Sequence, residues 1–422
     1  MFFKQFYDNN LSQASYLVGC QRTGEAIIID PVRDLTKYME VADSEGFTIT
    51  QAAETHIHAD FASGIRDVAE QLNANVYVSG EGDDELSYRN MPEQTHFVKH
   101  QDIIHVGNIK LEVLHTPGHT PESISFLLTD EGGGSSVPMG LFSGDFVFVG
   151  DIGRPDLLEK SVQMEGSTEV SAKQMYQSIE SVKDLPDYIQ IWPGHGAGSP
   201  CGKALGAVPM STLGYEKINN WAFNVTDESK FVETLTSNQP APPHHFAQMK
   251  KINQFGMNMY QPYDVFPSLD NARIAFDLRS KEAFHGGHTE GTINIPYNQN
   301  FINQIGWYLD YENSIDLIGD KSTVEQAAHT LQLIGFDNVA GYRLPKSEIL
   351  TQSIHSVDMT GKEEYILDVR NEEEWNNGHL DQAVNIPHGK LLNENIPFNK
   401  EDKIYVHCQS GCLLYTSDAA DE

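Results

Sequence analysis

The 422-residue chain is longer than one hydrophobic core usually organises, so two or three domains are expected, and 39% hydrophobic residues allow each to bury a core. A formal charge of −32 opposes long-range attraction to nucleic acid or an anionic membrane, and neither is expected as a partner. Cys20, Cys201, Cys408 and Cys412 lack paired zinc-ribbon spacing and are too few for a disulfide scaffold, so each is weighed as a reactive thiol. The opening Met1-Phe2-Phe3-Lys4-Gln5-Phe6 has neither the basic start nor the apolar middle of a secretion signal. No window is long and apolar enough to cross a bilayer, and a soluble cytoplasmic protein is expected.

Short apolar runs such as Ala26–Asp30 alternate with helical patterns such as Gly64–Leu72, so the first half reads as mixed strands and helices. The strand-like Phe47–Ala53 leads into Thr55-His56-Ile57-His58-Ala59-Asp60-Phe61, and side chains at such a strand-to-helix corner can converge on one ion. Imidazole plus carboxylate suits zinc or iron. A lone His-x-His is as often a structural pair. Here three further elements follow at strand ends: His115-Thr116-Pro117-Gly118-His119, Leu141-Phe142-Ser143-Gly144-Asp145 and Trp192-Pro193-Gly194-His195.

In order and context these elements resemble the metallo-β-lactamase superfamily, which implies an αββα sandwich over residues 1–240. The family motif reads T-H-x-H-x-D-H, and Phe61 stands where its last histidine would help hold a second metal. A phenyl ring cannot ligate, so one metal is expected. Within the superfamily the chain looks most like the persulfide dioxygenases. That resemblance implies one Fe(II) per chain, held by His56, His119 and Asp145, with positions open for dioxygen and a sulfur anion. It leaves His58, Asp60 and His195 to orient the ligands or contact substrate. It also places Arg154, in Gly150–Asp156, beside the substrate, where its planar fork would bind the carboxylate of a thiol carrier such as glutathione, coenzyme A or bacillithiol.

The proline-rich Asn238–His245 suggests a border, with a linker over 241–261. Beyond it, Asp277–Pro296 matches Asp368–Pro387 without a gap, so one small α/β unit occurs twice, over 262–345 and 350–422. Asp-x-Arg followed by Gly-His and Asn-Ile-Pro resembles the rhodanese family. In the second copy, strand-like Lys403–His407 ends in Cys408-Gln409-Ser410-Gly411, which resembles the rhodanese active loop and implies Cys408 as the persulfide carrier. Two departures stand out: Cys412-Leu413-Leu414 replaces the family's basic and hydroxyl residues, and the helix expected after the loop is missing. The last domain therefore reads as incomplete at its C-terminus. In the first copy Gly319 aligns with Cys408, so that copy reads as intact but non-catalytic, serving packing or assembly.

Cys201, six residues after His195 in a glycine-rich loop, is a candidate sulfur acceptor, and Cys20, beside Gln21–Gly24, a candidate near the cleft. The resemblances together imply a multidomain α/β enzyme that oxidises low-molecular-weight persulfides with O2 to sulfite and passes sulfane sulfur through Cys408 to sulfite, giving thiosulfate in sulfide detoxification. A homo-oligomer is implied. The alternatives are a dizinc thioester hydrolase of the glyoxalase II type and a non-enzymatic sulfur-binding or sensing protein.

Overall fold

The structure is a computed structural model. It describes residues 1–82, 86–162, 166–203, 205–239, 241–268, 273–345, 363–391, 394–399 and 402–408. The expected C-terminal truncation, Cys412 and the loop 409–411 lie outside these residues. The chain divides into two units, Met1–Gln261 with Leu333–Gly335, and Pro262–Gln332 with Phe336–Glu422.

The first unit is built on two six-stranded sheets. One holds β1 (Phe2–Asp8), β2 (Gln13–Gly19), β3 (Glu25–Ile29), β4 (Thr48–Ala53), β5 (Asn75–Ser79) and β6 (Thr95–Val98), side by side in that order. The other holds β7 (Ile103–Val106), β8 (Ile109–His115), β9 (Ile124–Asp130), β10 (Gly140–Gly144), β11 (Gln190–Pro193) and β12 (Ser211–Thr212). Every residue of β2 is buried, whereas β1 at the sheet edge is mostly half-buried. The interior strand β2 is covered on both faces, Gln13 and Ser15 included. Tyr16, Val18, Ile27 and Ile29 meet Leu111, Val113, Phe126, Leu128, Phe142 and Trp192 between the sheets.

Helices cover the outer faces. α1 (Thr36–Glu45) and α2 (Ile65–Leu72) lie against β4 of the first sheet. On the other side follow α3 (Leu157–Val162), α4 (Ser167–Val182), α5 (Leu213–Asn219), α6 (Trp221–Asn224) and α7 (Glu228–Thr236). Ala172, Met175, Ile179 and Val182 recur at the helical period along α4 and pack on Leu127, Leu141 and Ile191. The result is the expected αββα sandwich.

One boundary needs correction. The stretch 241–261, expected as a linker, contains α8 (His245–Phe255) and belongs to the first unit. His245, Phe246, Met249, Lys250 and Asn253 form its buried face, spaced as one side of a helix. The prolines that mark a break precede this helix, so they end one element without ending the domain.

The second unit contains two parallel sheets. The first has the order β14 (Thr292–Asn294), β13 (Ala275–Asp277), β15 (Ile315–Ile318), β16 (Val339–Arg343). The second has β18 (Ala383–Asn385), β17 (Ile366–Asp368), β19 (Tyr405–His407). The expected border between the copies, at 346–349, lies outside the described residues.

The repeated motif is structural in both copies. Asp277 receives the fork of Arg279, whose Nη2 also reaches the Gly287 carbonyl; Asp368, Arg370 and Gly378 do the same. Asn294 and Asn385 each donate to the carbonyls of their own Asp and Arg. His288 stacks on Phe284, and His379 on Trp375. Asp277 pairs with Ile318 and Asp368 with His407, so the next residues, Gly319 and Cys408, occupy equivalent positions. The first copy thus has no thiol there. Within this unit the Tyr308 hydroxyl lies 3.1 Å from His388 Nδ1, and a Cβ on Gly389 would fall 2.2 Å from the Trp307 ring. The first copy therefore packs on the turn after β18 of the second.

Asp277 is buried and its pair with Arg279 is largely shielded, so Asp277→Ala strands a guanidinium. It should destabilise the second unit by about 3 kcal/mol, read as a lower denaturant midpoint for that unit.

Candidate metal centre

Four loops leaving β4, β8, β10 and β11 bring the motif residues together. His56, His119 and Asp145 each offer one ligand atom, and these atoms lie within 4.8 Å of one another, fully buried. Asp145 Oδ2 is 3.5 Å from His119 Nε2 and 3.9 Å from His56 Nε2.

The scaffold fixes each ring by its other nitrogen. His119 Nδ1 donates to the Arg154 carbonyl at 2.9 Å, which holds the proton on Nδ1 and leaves Nε2 a bare lone pair. His56 Nδ1 lies 3.0 Å from Thr55 Oγ1. The Thr55 N–H and hydroxyl both donate to Asp30, at 2.7 and 3.0 Å. Burial, with neighbouring cationic groups, holds both imidazoles well below their ordinary pKa, and the neutral ring is the ligating form. Burial pushes the Asp145 carboxyl up to about 6, with His195 opposing and Asp60 adding to the shift.

Close approach explains two glycines. A Cβ on Gly153 would sit 1.9 Å from the Asp145 carbonyl oxygen, and one on Gly194 would sit 2.8 Å from Asp145 Oδ1.

Nε2 of His56 and His119 and both Asp145 oxygens have no hydrogen-bond partner among the described residues. Buried polar groups are normally paired, because an orphan costs about 1–3 kcal/mol and a charged one more. Orphan imidazoles and a carboxylate converging on one point fit a divalent metal, and this donor set suits zinc or iron.

Beside them lies a second buried group, Asp60, His195 and Cys201, also within 4.8 Å. His195 Nδ1 donates to the Ser12 carbonyl at 3.0 Å, while Nε2 is 3.3 Å from Asp60 and 3.4 Å from Asp145. His58 turns away to Asp30 at 3.3 Å. Burial opposes its charge, but Asp30, Glu54 and Asp60 outweigh that and push it up to about 9. Phe61 is buried and packs its ring 4.3 Å from that of His58.

Three expectations change here. Arg154 is 0% exposed, its fork is taken by Asp156 at 2.7 and 2.8 Å, and Nη1 reaches the Pro200 carbonyl. It is not an open carboxylate receptor; its carbonyl anchors His119. Cys201 does reach the centre, but as a buried thiol that burial, then Asp60 and Asp145, push well above its ordinary pKa. Cys20 is not brought to the centre: its Sγ accepts from Asn108 N–H at 3.3 Å, within the inter-sheet core.

Sequence reasoning missed Lys250 and Asn253 on α8. Asn253 donates to the carbonyls of His58 and Phe61 at 2.9 and 2.7 Å and accepts from Ser63 N–H. Lys250 Nζ donates to the Ile57 carbonyl. Their helical spacing with Phe246 and Met249 was the available signal.

Comparison with known proteins agrees with this geometry. Residues 8–195 match the metallo-β-lactamase superfamily, and residues 351–420 match the rhodanese-like domain. A solved metallo-β-lactamase from Staphylococcus aureus subsp. aureus COL is 73% identical, with a TM-score of 0.79, over 82% of this chain and 99% of that one. The chain therefore belongs to the metallo-β-lactamase superfamily and carries a rhodanese-like domain after the metal-binding fold. A hydroxyacylglutathione hydrolase of Dictyostelium discoideum is 29% identical over 58% of this chain and 82% of its own length. ETHE1 from Myxococcus xanthus is 28% identical over 60% of this chain and 98% of that one, with a TM-score of 0.48. No helix among the described residues is long and apolar enough to cross a membrane.

Removing the Thr55 hydroxyl while keeping its shape frees His56 to rotate. Thr55→Val should weaken metal binding about 10- to 100-fold in a chelator competition, with the fold intact by circular dichroism.

Proposed function

We propose that the chain oxidises a low-molecular-weight persulfide with dioxygen to sulfite at the His56–His119–Asp145 centre, and transfers sulfane sulfur to sulfite through Cys408. The observation that carries this reading is a three-ligand face in one chain with a thiol that follows β19; it is supported by Phe61, which stands in the sequence where the superfamily motif has a further histidine and packs on His58. Bound there, ferrous iron would supply redox chemistry, with ligand positions left open by two imidazoles and one carboxylate.

The chain's own groups do the positioning. The Arg154 carbonyl and the Thr55 hydroxyl hold the two rings, and the surrounding burial keeps bulk water from the reacting sulfur. The first reaction balances as RSSH + O2 + H2O giving RSH, HSO3− and H+: the outer sulfur is oxidised and dioxygen reduced.

Cys408 is 8% exposed and packs among Leu367, Val369, Ile386 and Leu391. Its strand pairs with β17, where Asp368 holds Arg370 and lies 3.4 Å from His407 Nδ1. In the second reaction the outer sulfur of a Cys408 persulfide bonds to sulfite, the sulfur–sulfur bond to Cys408 breaks, and its electron pair returns to the Cys408 thiolate.

A second reading has its own observation. The bare Nε2 of His195 and the Asp60 oxygens beside Cys201 would favour a two-metal thioester hydrolase. Metal analysis with oxygen uptake separates the two. Anaerobically iron-loaded protein should hold one iron per chain, consume oxygen with glutathione persulfide and release sulfite. Cys408→Ser should keep that uptake and lose thiosulfate formation. Two zinc per chain with thioester hydrolysis and no oxygen uptake would establish the hydrolase.

A further inference from the structure

The buried face of α8 lies against the metal loop, outside the segment that matches the superfamily. Phe246 packs with Ala59, Phe148, Leu157 and Cys201, which seats the helix beside both ligand clusters. One turn further on, Lys250 is 6% exposed. Burying an ammonium is costly, and a single carbonyl, that of Ile57, is its hydrogen-bond partner among the described residues. Holding the loop does not require a cation, because the neutral amide of Asn253 already clamps it at three points.

The surroundings of the ammonium are those of the metal pocket. Glu122, Cys201, Asp145 and Asp60 act on it electrostatically, and its charge acts back on His56 and His119. Glu122 is buried; its Oε1 accepts from the Ile57 N–H, and its Oε2 has no hydrogen-bond partner among the described residues. Lys250 thus sets a buried ammonium with unused donors on the backbone beside His56; burial pulls its pKa down, and Glu122, Cys201, Asp145 and Asp60 oppose that.

We infer that Lys250 is the anion receptor of this centre, binding the terminal sulfur anion of the substrate beside the metal ligands and selecting anionic over neutral ligands. The sulfur identity of the anion rests on the proposed persulfide chemistry; the receptor role does not.

Azide titration of cobalt-loaded full-length protein, followed by the visible spectrum, reads the receptor without turnover. Lys250→Met should retain cobalt and its spectrum but bind azide about 10- to 100-fold more weakly, the cost of one charge-assisted hydrogen bond. Lys250→Arg should restore azide affinity to within about threefold, keeping the charge and a donor. Azide binding to Lys250→Met that matches the unsubstituted protein overturns the inference. Loss of cobalt by Lys250→Met, with Lys250→Arg retaining cobalt but binding azide as weakly as an uncharged variant, also overturns it. A Lys250-dependent azide affinity in protein that consumes no oxygen with persulfide would leave the receptor standing and sink the dioxygenase reading.

Discussion

An imidazole has two nitrogens, and the metal centre depends on how the scaffold divides them. His119 and His195 spend Nδ1 on backbone carbonyls and His56 sets its Nδ1 against Thr55, so three Nε2 atoms with no hydrogen-bond partner among the described residues face Asp145. Without those anchors the rings would be free to satisfy one another or turn to solvent. The anchoring atoms come from distant parts of the chain: Arg154 from the loop after β10, Ser12 from the turn before β2, Thr55 through Asp30 at the end of β3. The sandwich is therefore required as a whole, since His119 and His195 are anchored by other segments and the Thr55 that anchors His56 is itself held by Asp30. Neutral imidazoles and a buried carboxylate are an unfavourable collection by themselves, and a metal ion is the partner that would offset their burial.

The loop that carries His56 is held by α8. Three of the carbonyls from Ile57 to Phe61 accept from Lys250 or Asn253, so the helix fixes backbone that belongs to no regular element. The same helix supplies Lys250, which acts electrostatically on both ligating histidines. Burial works against the charge of that lysine, and the acidic Glu122, Asp145 and Asp60 work for it.

The ligand set was legible because each member sits in a short run with its own local constraint: a strand, a tight turn, then the donor. His56, His119 and Asp145 could be named from those runs, and so could the equivalence of Gly319 and Cys408, which follows from an ungapped repeat. Arg154 was misread because its partner Asp156 lies two residues on, and sequence cannot tell a free fork from one folded back onto its neighbour. The α8 face was missed because the prolines before it suggest a border and Lys250-Lys251 resembles a solvated pair, whereas only one of the two is buried. The rhodanese motif residues carried recognition correctly but for a structural reason. Asp277, Arg279, Asn294 and His288 brace their own turn, which is why the same signature persists in a copy with glycine in place of the thiol.

The proposed chemistry requires one metal on His56, His119 and Asp145, with Asp60, His195 and Cys201 beside it and holding no other. Anomalous diffraction at the iron edge, from crystals grown with anaerobically loaded protein, tests this most directly. A single peak is expected between the Nε2 atoms of His56 and His119 and the carboxylate of Asp145. A second peak of comparable height among Asp60, His195 and Cys201, or a lone peak there, would contradict it.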